Sequence, residues 1–565
     1  MRALPAASLA LLCVAVAAMH LLRGMPLPGW NSGYDGGFHI VMLTNLAQEP
    51  WRGVLPPLWF FEATAGLGSP APIFYGPGAY LPALALLWLG MAPDTALSAV
   101  LALARVLGGV GVTLWVARRG ASASGAAVAG AIWLLFPASL LHGPLMGFRY
   151  AETVAIGLLP WLLLAADRAM LPGQRRIPLL LIALGYGLLA ITHLQQTLLA
   201  ALIIPAWVAA TRGRRAGFMV MLGGVAGAAL AGWFLLPAAL LRPLINEEGW
   251  NAAARMAQMA LFSGAEAGPV AASWAMLYLS WALGLGLALA GMARPGGGAA
   301  CARCAALLCL SMVPPLTWLW PHLPIIVYVQ FPWRHMPWLS LMAGGVAAGL
   351  WMAGGRARRV VMLVLACMAL LLLYPWAERL PLPPGAAMAY RDALLQYPAE
   401  RDPARFRQPF YAEFMPPEYL PAAAIQSGLG WQEQDARRAI LARICAAQPC
   451  AVLDRSRPGQ PRAMLPQGEA VLLPLFHWPG LRCTGCELSL DIATGLARAR
   501  LLPGRGPLVV ISAAALPVQR LGLAISAAAL LAWLVALALS ALSAARDRGS
   551  PGRGYRRHKA PAPPP

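Results

Sequence analysis

In the run Asn31-Ser32-Gly33-Tyr34-Asp35-Gly36-Gly37-Phe38-His39, a carboxylate and an imidazole stand four residues apart among three glycines, just after the first apolar segment. A carboxylate at a membrane surface can take a proton from an acceptor hydroxyl, which makes Asp35 a candidate general base. The plainer alternative is a turn, because Asp in a glycine-rich stretch bonds its own backbone. Further ionisable and amide side chains stand at the ends of apolar runs: His142, Arg149 and Glu152; His193 with Gln195 and Gln196; Asn246, Glu247, Glu248 and Asn251; and Gln330, Arg334 and His335 in Gln330-Phe331-Pro332-Trp333-Arg334-His335. Ionisable groups near membrane depth are costly and tend to face a cavity or a partner. An arginine presents a planar fork to phosphate, so base and arginine together describe group transfer from a lipid-linked phosphate donor. Each residue also has a plainer role. Arg149 and Glu152 form an i,i+3 pair, His193 bonds within a turn, and Arg334 anchors at the headgroups.

The elements that must hold these groups are membrane helices. The 565-residue chain is 59% hydrophobic and 12% charged, with many apolar runs long enough to cross a bilayer. A net charge of +21 would suit nucleic acid, yet the arginines fall in short clusters at the ends of apolar runs, so no nucleic-acid partner is expected. Spans are expected near 96–117, 124–143, 152–169, 177–192, 194–211, 216–240, 271–292, 304–320, 336–355, 360–376 and 519–541. This assignment puts Arg118/Arg119, Arg168/Arg175/Arg176, Arg212/Arg214/Arg215, Arg294/Arg303, Arg356/Arg358/Arg359 and the tail from Arg546 on one side, as the positive-inside rule requires. Residues 4–22 suit either a retained anchor, which we favour, or a cleaved signal peptide. With the anchor there are about twelve spans, both ends inside, and every polar group named above lies outside, in one chamber. The aromatic-rich loop 24–79 is expected on the bilayer surface, and residues 80–92 as a short interfacial or re-entrant piece.

Between 377 and 518 the composition turns to Pro, Arg, Glu, Gln and Tyr, with short β-like runs at Val471–Trp478, Cys486–Thr494, Ala497–Pro503 and Pro507–Ala515. A small β-rich outer domain is expected there. The architecture is thus a transmembrane core over 1–376, the outer domain over 377–518, a last span over 519–541 and a basic, disordered tail over 542–565. Cys445, Cys450, Cys483 and Cys486 allow three pairings; Cys445–Cys450 and Cys483–Cys486 are the local one, and a four-thiolate zinc site is the alternative.

Several of these stretches carry a family resemblance. Tyr34 to His39, Asn45-Leu46, Gly53 to Trp59, Gly66-Leu67-Gly68, Pro70, Phe74-Tyr75, Pro77 and Tyr80 resemble the first outer loop of bacterial membrane proteins labelled "6-pyruvoyl-tetrahydropterin synthase-related". That group is close to the YfhO-like family and to the GT-C superfamily of membrane glycosyltransferases. Arg149 to Glu152 with Pro160, Thr192-His193, Gln330 to Arg334, Glu418 to Pro421, His477 to Gly480 and Leu502-Pro503-Gly504 fit the same pattern. Departures are Leu58, where the family often has Arg, Gly76-Pro77-Gly78 in place of a Pro-rich run, and Leu481 in place of an aromatic. The resemblance implies a GT-C-like fold in a bacterial inner membrane, acting on the periplasmic or extracellular face. It implies a polyprenyl-phosphate-linked sugar donor and a glycan, lipid or protein acceptor. Asp35 would be the base, His39 its supporting or metal-binding partner and Arg334 a phosphate ligand, while Arg149, Glu152, His193, Gln330 and His335 line the pocket. Some relatives use a divalent metal, Mg or Mn, which Asp35 and His39 would help hold, although two residues do not complete a site. The competing functions are a flippase or transporter of a lipid-linked sugar, which needs a polar path to the inner side, and a non-catalytic assembly factor.

Overall fold

The computed structural model describes residues 36–49, 56–64, 66–139, 149–169, 176–246, 260–262, 271–294, 298–323, 326–373, 419–429 and 434–549. Asp35, His142, Glu247, Glu248, Asn251, the 4–22 segment and the tail beyond 549 lie outside them. Below, the inner ends of helices are those bearing the arginine clusters.

The chain is mostly helical. A short helix α1 (Gly36–Gln48) and α2 (Tyr80–Trp88) precede α3 (Pro93–Arg118), α4 (Ala123–Leu135), α5 (Tyr150–Ala169), α6 (Arg176–Thr192), α7 (Leu194–Arg212), α8 (Arg214–Leu230) and α9 (Gly232–Leu240). Then come α10 (Ala271–Met292), α11 (Ala299–Ser311), α12 (Met336–Ala353) and α13 (Gly355–Leu373). Local signals set several ends. Pro93 opens α3 with Asp94 in its first turn and Arg118 in its last, both in accord with the helix dipole. Ser122 caps α4 by accepting from the Gly125 amide. Among the described residues six helices are long and apolar enough to cross a membrane, or seven if α8 and α9 count as one broken span, so the chain reads as a multi-pass membrane protein. The remaining expected spans are shorter or less apolar helices, apart from 4–22, which is not among the described residues.

Two spans differ from expectation for identifiable reasons. The helix expected over 216–240 is broken at Ala231, and α9 turns away from α8 by 80°. Ser526 satisfies the break: its Oγ accepts from the Trp233 amide at 2.9 Å and donates to the Ala229 carbonyl at 3.2 Å. The helix expected over 124–143 stops at Leu135, where Phe136 takes extended backbone. Arg105, buried in the middle of α3, donates to the exposed carbonyls of Trp133 and Leu134 at 3.2 and 2.7 Å. A cation at a helix C-terminus is the favourable sign, so Arg105 lets α4 end at membrane depth.

The outer domain holds α14 (Gln434–Ala447), β1 (Leu453–Asp454), β2 (Arg462–Met464), β3 (Ala470–Phe476), β4 (Leu481–Thr484), β5 (Cys486–Leu490), β6 (Leu496–Leu501) and β7 (Leu508–Ala513). Two antiparallel sheets result, β1-β2-β7-β4 and β3-β6-β5. Alternation drives the pairing: Leu496, Ala497, Ala499 and Leu501 of β6 are buried, whereas Arg498 reaches Asp491 and Gln448. Cys445 is bonded to Cys450, closing the end of α14, and Cys483 to Cys486 across the turn between β4 and β5. The chain then enters α15 (Pro517–Gly549), whose last residues, 542–549, are helical where a disordered tail was expected.

The outer domain is not a separate unit. Trp59, Phe60, Phe61 and Phe74 of the first loop share one apolar core with Leu472, Phe476 and Trp478, each large ring worth about 2 kcal/mol on burial. Arg455 clamps the two, donating to the carbonyls of Phe61 at 3.0 Å, Gly66 at 2.5 Å and Pro474 at 3.4 Å. Beneath this clamp Glu49 is buried, its Oε1 accepting from the Phe61 amide at 2.8 Å. Burial, with Glu62 nearby, pushes its carboxyl up to about 8 despite that bond and Arg455. An unfolded chain ionises Glu49 near 4.5, so the folded form loses stability as pH rises from about 4.5 to about 8. Glu49→Gln is therefore expected to raise the thermal midpoint in detergent by an amount that grows through that window and is flat above it. A gap independent of pH would refute this.

Candidate functional site

The site lies at the outer ends of α5, α6, α7 and α12, under the first loop. Glu152, one turn into α5, is buried. Gln196 of α7 donates from Nε2 to its Oε1 at 2.9 Å and to the Arg334 carbonyl at 3.2 Å, and its own Oε1 accepts from Trp338 Nε1 at 3.1 Å. Every polar atom of that amide is thus committed to fixing the carboxylate. His193, the N-cap of α7, accepts from the Gln196 amide through Nδ1 at 3.3 Å and orients the same turn.

Two guanidiniums bracket Glu152. Arg149 Nη1 stands 3.7 Å from Oε2 and Arg334 Nε 4.0 Å from Oε1. These contacts are longer than hydrogen bonds, so they balance charge without tying the arginines down as Gln196 ties the carboxylate. Aromatic rings hold them instead. Arg334 lies over Phe331 at 5.3 Å, Phe331 stacks on Trp333 at 4.4 Å, and Arg149 lies over Trp333 at 5.4 Å, a four-layer stack of cation, ring, ring and cation. Guanidiniums presented in this way offer the planar, charged donors that recognise an anionic group such as phosphate.

The turn before α12 is unusual. Gln330 has φ +70, a region disfavoured for a residue with a side chain, and its Oε1 accepts from Gln195 Nε2 at 3.4 Å. The 3₁₀ turn Pro332–His335 follows. Consecutive residues of a 3₁₀ turn point about 120° apart, so Arg334 and His335 cannot face the same chamber. His335 instead meets Ser311 Oγ at 2.9 Å through Nδ1 and the edge of Trp320 at 4.8 Å. His335 thus ties the start of α12 to α11.

His39, on α1, is surrounded by Phe38, Tyr75, Tyr80 and Tyr150. Its Nε2 accepts from the Tyr150 amide at 3.2 Å, so that nitrogen is unprotonated and Nδ1 donates to Tyr80 Oη at 2.6 Å. Burial, reinforced by nearby His193, pushes the ring down to about 3 and holds it neutral. Both ring nitrogens of His39 are thus engaged by protein partners. Among the described residues no three His, Cys, Asp or Glu side chains cluster. What His39 does is tie α1 to Tyr150, two residues from Glu152. The loop can come this close because Gly76 faces the Ile191 carbonyl, which a Cβ would approach to 2.2 Å. The departure from a Pro-rich run at Gly76-Pro77-Gly78 thus has a steric cause.

The structure brings together Arg149, Glu152, His193, Gln330 and Arg334, with His39 beside them. Asn246 bonds its amide to the Leu420 carbonyl at 3.1 Å, in a connection to the outer domain. The sequence alone assigned no role in the site to Arg105, Trp338, Tyr80 or Tyr150. Arg105 could have been found as a lone cation in an apolar run; the others carry no signal until their partners are known.

No protein-family model and no curated protein matches the chain. Among solved structures it is similar to the arabinofuranosyltransferase AftD from Mycobacteria, determined by single-particle cryo-EM, at 16% identity and a TM-score of 0.46. That match covers 90% of this chain and 40% of the other, so the chain spans two fifths of that protein's length.

Proposed function

We propose that this protein is an integral-membrane glycosyltransferase of the GT-C type. In this proposal it moves a sugar from a polyprenyl-phosphate donor to an acceptor hydroxyl on the outer face of a bacterial inner membrane. The observation that carries the proposal is the buried carboxylate bracketed by two ring-stacked arginines at the outer helix ends. Asp35, immediately before α1 and four residues before His39, takes the acceptor proton. The acceptor oxygen then bonds to the anomeric carbon as that carbon's bond to the phosphate oxygen breaks. Arg334 and Arg149 receive the charge that develops on the phosphate. Glu152, fixed by Gln196, is a positioning residue that sets a negative charge beside the two arginines, the rings of Phe331 and Trp333 hold the guanidiniums, and His39 positions α1. A transporter needs a polar route inward, yet α5 carries no charged residue between Glu152 and Asp167, which is bound near the inner end by Trp115 and Arg119 at 2.9 and 2.8 Å.

Donor binding tests this. Arg334→Ala is expected to weaken binding of a polyprenyl-phosphate sugar by about tenfold to hundredfold, the worth of one hydrogen bond to a charged group. An unchanged dissociation constant in the folded variant would remove Arg334 from the donor site.

A further inference from the structure

Along the inner half of α6, whose outer end borders this site, an apolar groove of about 740 Å³ opens between α6, α8 and α15. Its shape follows from the break at Ala231. Helix α15 touches α9 where Gly522 meets the Gly232 carbonyl, which a Cβ would approach to 2.6 Å, and Trp533 Nε1 then donates to the Leu180 carbonyl of α6 at 2.9 Å. Because α8 bends at Ala231, α15 does not close against it, and small residues such as Gly223 and Ala532 form the floor.

Along α8 the wall residues Met219, Leu222, Ala226 and Leu230 recur at helical spacing, and Arg215 stands one turn before Met219 on the same stripe. From Met219 to Leu230 is about 16 Å at 1.5 Å per residue, close to half of the ~30 Å hydrocarbon core. The groove is therefore one leaflet tall and ends at an arginine. Arg212, Arg214 and Arg215 are all exposed, and no described residue bonds or pairs with their side chains. Gly213, with φ +96, turns the chain between them, and they sit at the positive end of the α8 dipole. No Asp or Glu occurs between 168 and 246, and Asp547 on α15 is flanked in sequence by Arg546 and Arg548.

We propose that this groove is a binding site for an anionic phospholipid of the arginine-side leaflet. Its phosphate lies on Arg215 with Arg214 and Arg212, and a chain runs up the groove past Ala226 to Trp533. The site stands apart from the proposed transferase site and does not depend on that reading.

Native mass spectrometry of the delipidated full chain tests it, with dioleoylphosphatidylglycerol, dioleoylphosphatidylcholine and undecaprenyl phosphate as probes. Wild type is expected to retain phosphatidylglycerol over phosphatidylcholine. Arg214→Gln and Arg215→Gln, surface changes that spare the fold, are each expected to lower that preference about fivefold, since a basic residue near the headgroups contributes about 1 kcal/mol. Ala226→Phe, which fills the groove, is expected to lower retention with the arginines intact. Equal retention of both phospholipids, or phosphatidylglycerol retention unchanged in all three variants, would overturn the site. A preference for undecaprenyl phosphate over phosphatidylglycerol would overturn the assignment of a phospholipid.

Discussion

Asp35→Asn is expected to lower turnover by about 10²- to 10⁴-fold while leaving donor affinity within a factor of two, because the change removes a base and keeps the side chain's shape. The amide cannot take the acceptor proton, so the acceptor hydroxyl must attack as a weak nucleophile. In the proposed mechanism donor binding rests on Arg334 and Arg149, which Asp35→Asn does not alter. Single-turnover rates measured beside donor dissociation constants separate the two quantities. Equal losses in rate and affinity would mean that Asp35 holds the loop and is not the base.

Glu152→Ala is expected to be the most destabilising single change in the site. It removes a carboxylate that faces both Arg149 and Arg334, and it strips Gln196 Nε2 of an acceptor at 2.9 Å. Removing one partner of a buried charge cluster costs on the order of 3–5 kcal/mol. Glu152→Gln keeps an acceptor and loses only the charge, so its thermal midpoint should fall between those of wild type and Glu152→Ala. If the two variants unfold together at the wild-type midpoint, the arginines are balanced by something other than Glu152.

Much of this arrangement was legible one residue at a time. Arg149, Glu152, His193, Gln330 and Arg334 all signalled themselves as polar groups at the ends of apolar runs, where the cost of burial makes any such group informative. Their pairing was not legible. Gln196 meets the Arg334 carbonyl 138 residues away, and only the packing of α5, α7 and α12 selects that contact from many. Adjacent residues misled in the opposite sense. Arg334 and His335 share a motif, but a 3₁₀ turn sends them to different neighbours, and a sequence does not declare whether a turn is 3₁₀ or α.

The helix boundaries show the same division. Pro93 and Ser122 are local signals, and the helices that they open begin within three residues of expectation. The break at Phe136 is marked by Pro137, which pushes the residue before it into extended backbone, whereas the break at Ala231 carries no comparable mark, because Ser526, which satisfies it, comes from another helix. In the outer domain, the last four β-like runs stand out through alternation, whereas β1, β2 and β4 have two to four residues each, too short for a period of two to emerge.

The central claim is that a sugar leaves a lipid phosphate in this chamber. Purified protein in proteoliposomes, supplied with radiolabelled polyprenyl-phosphate hexoses and pentoses and an outer-face glycan acceptor, tests it most directly. Label is expected to move from the lipid to the acceptor with wild type and not with Asp35→Asn. Label that stays on the lipid while the lipid itself crosses the bilayer would contradict it and leave a transporter in its place.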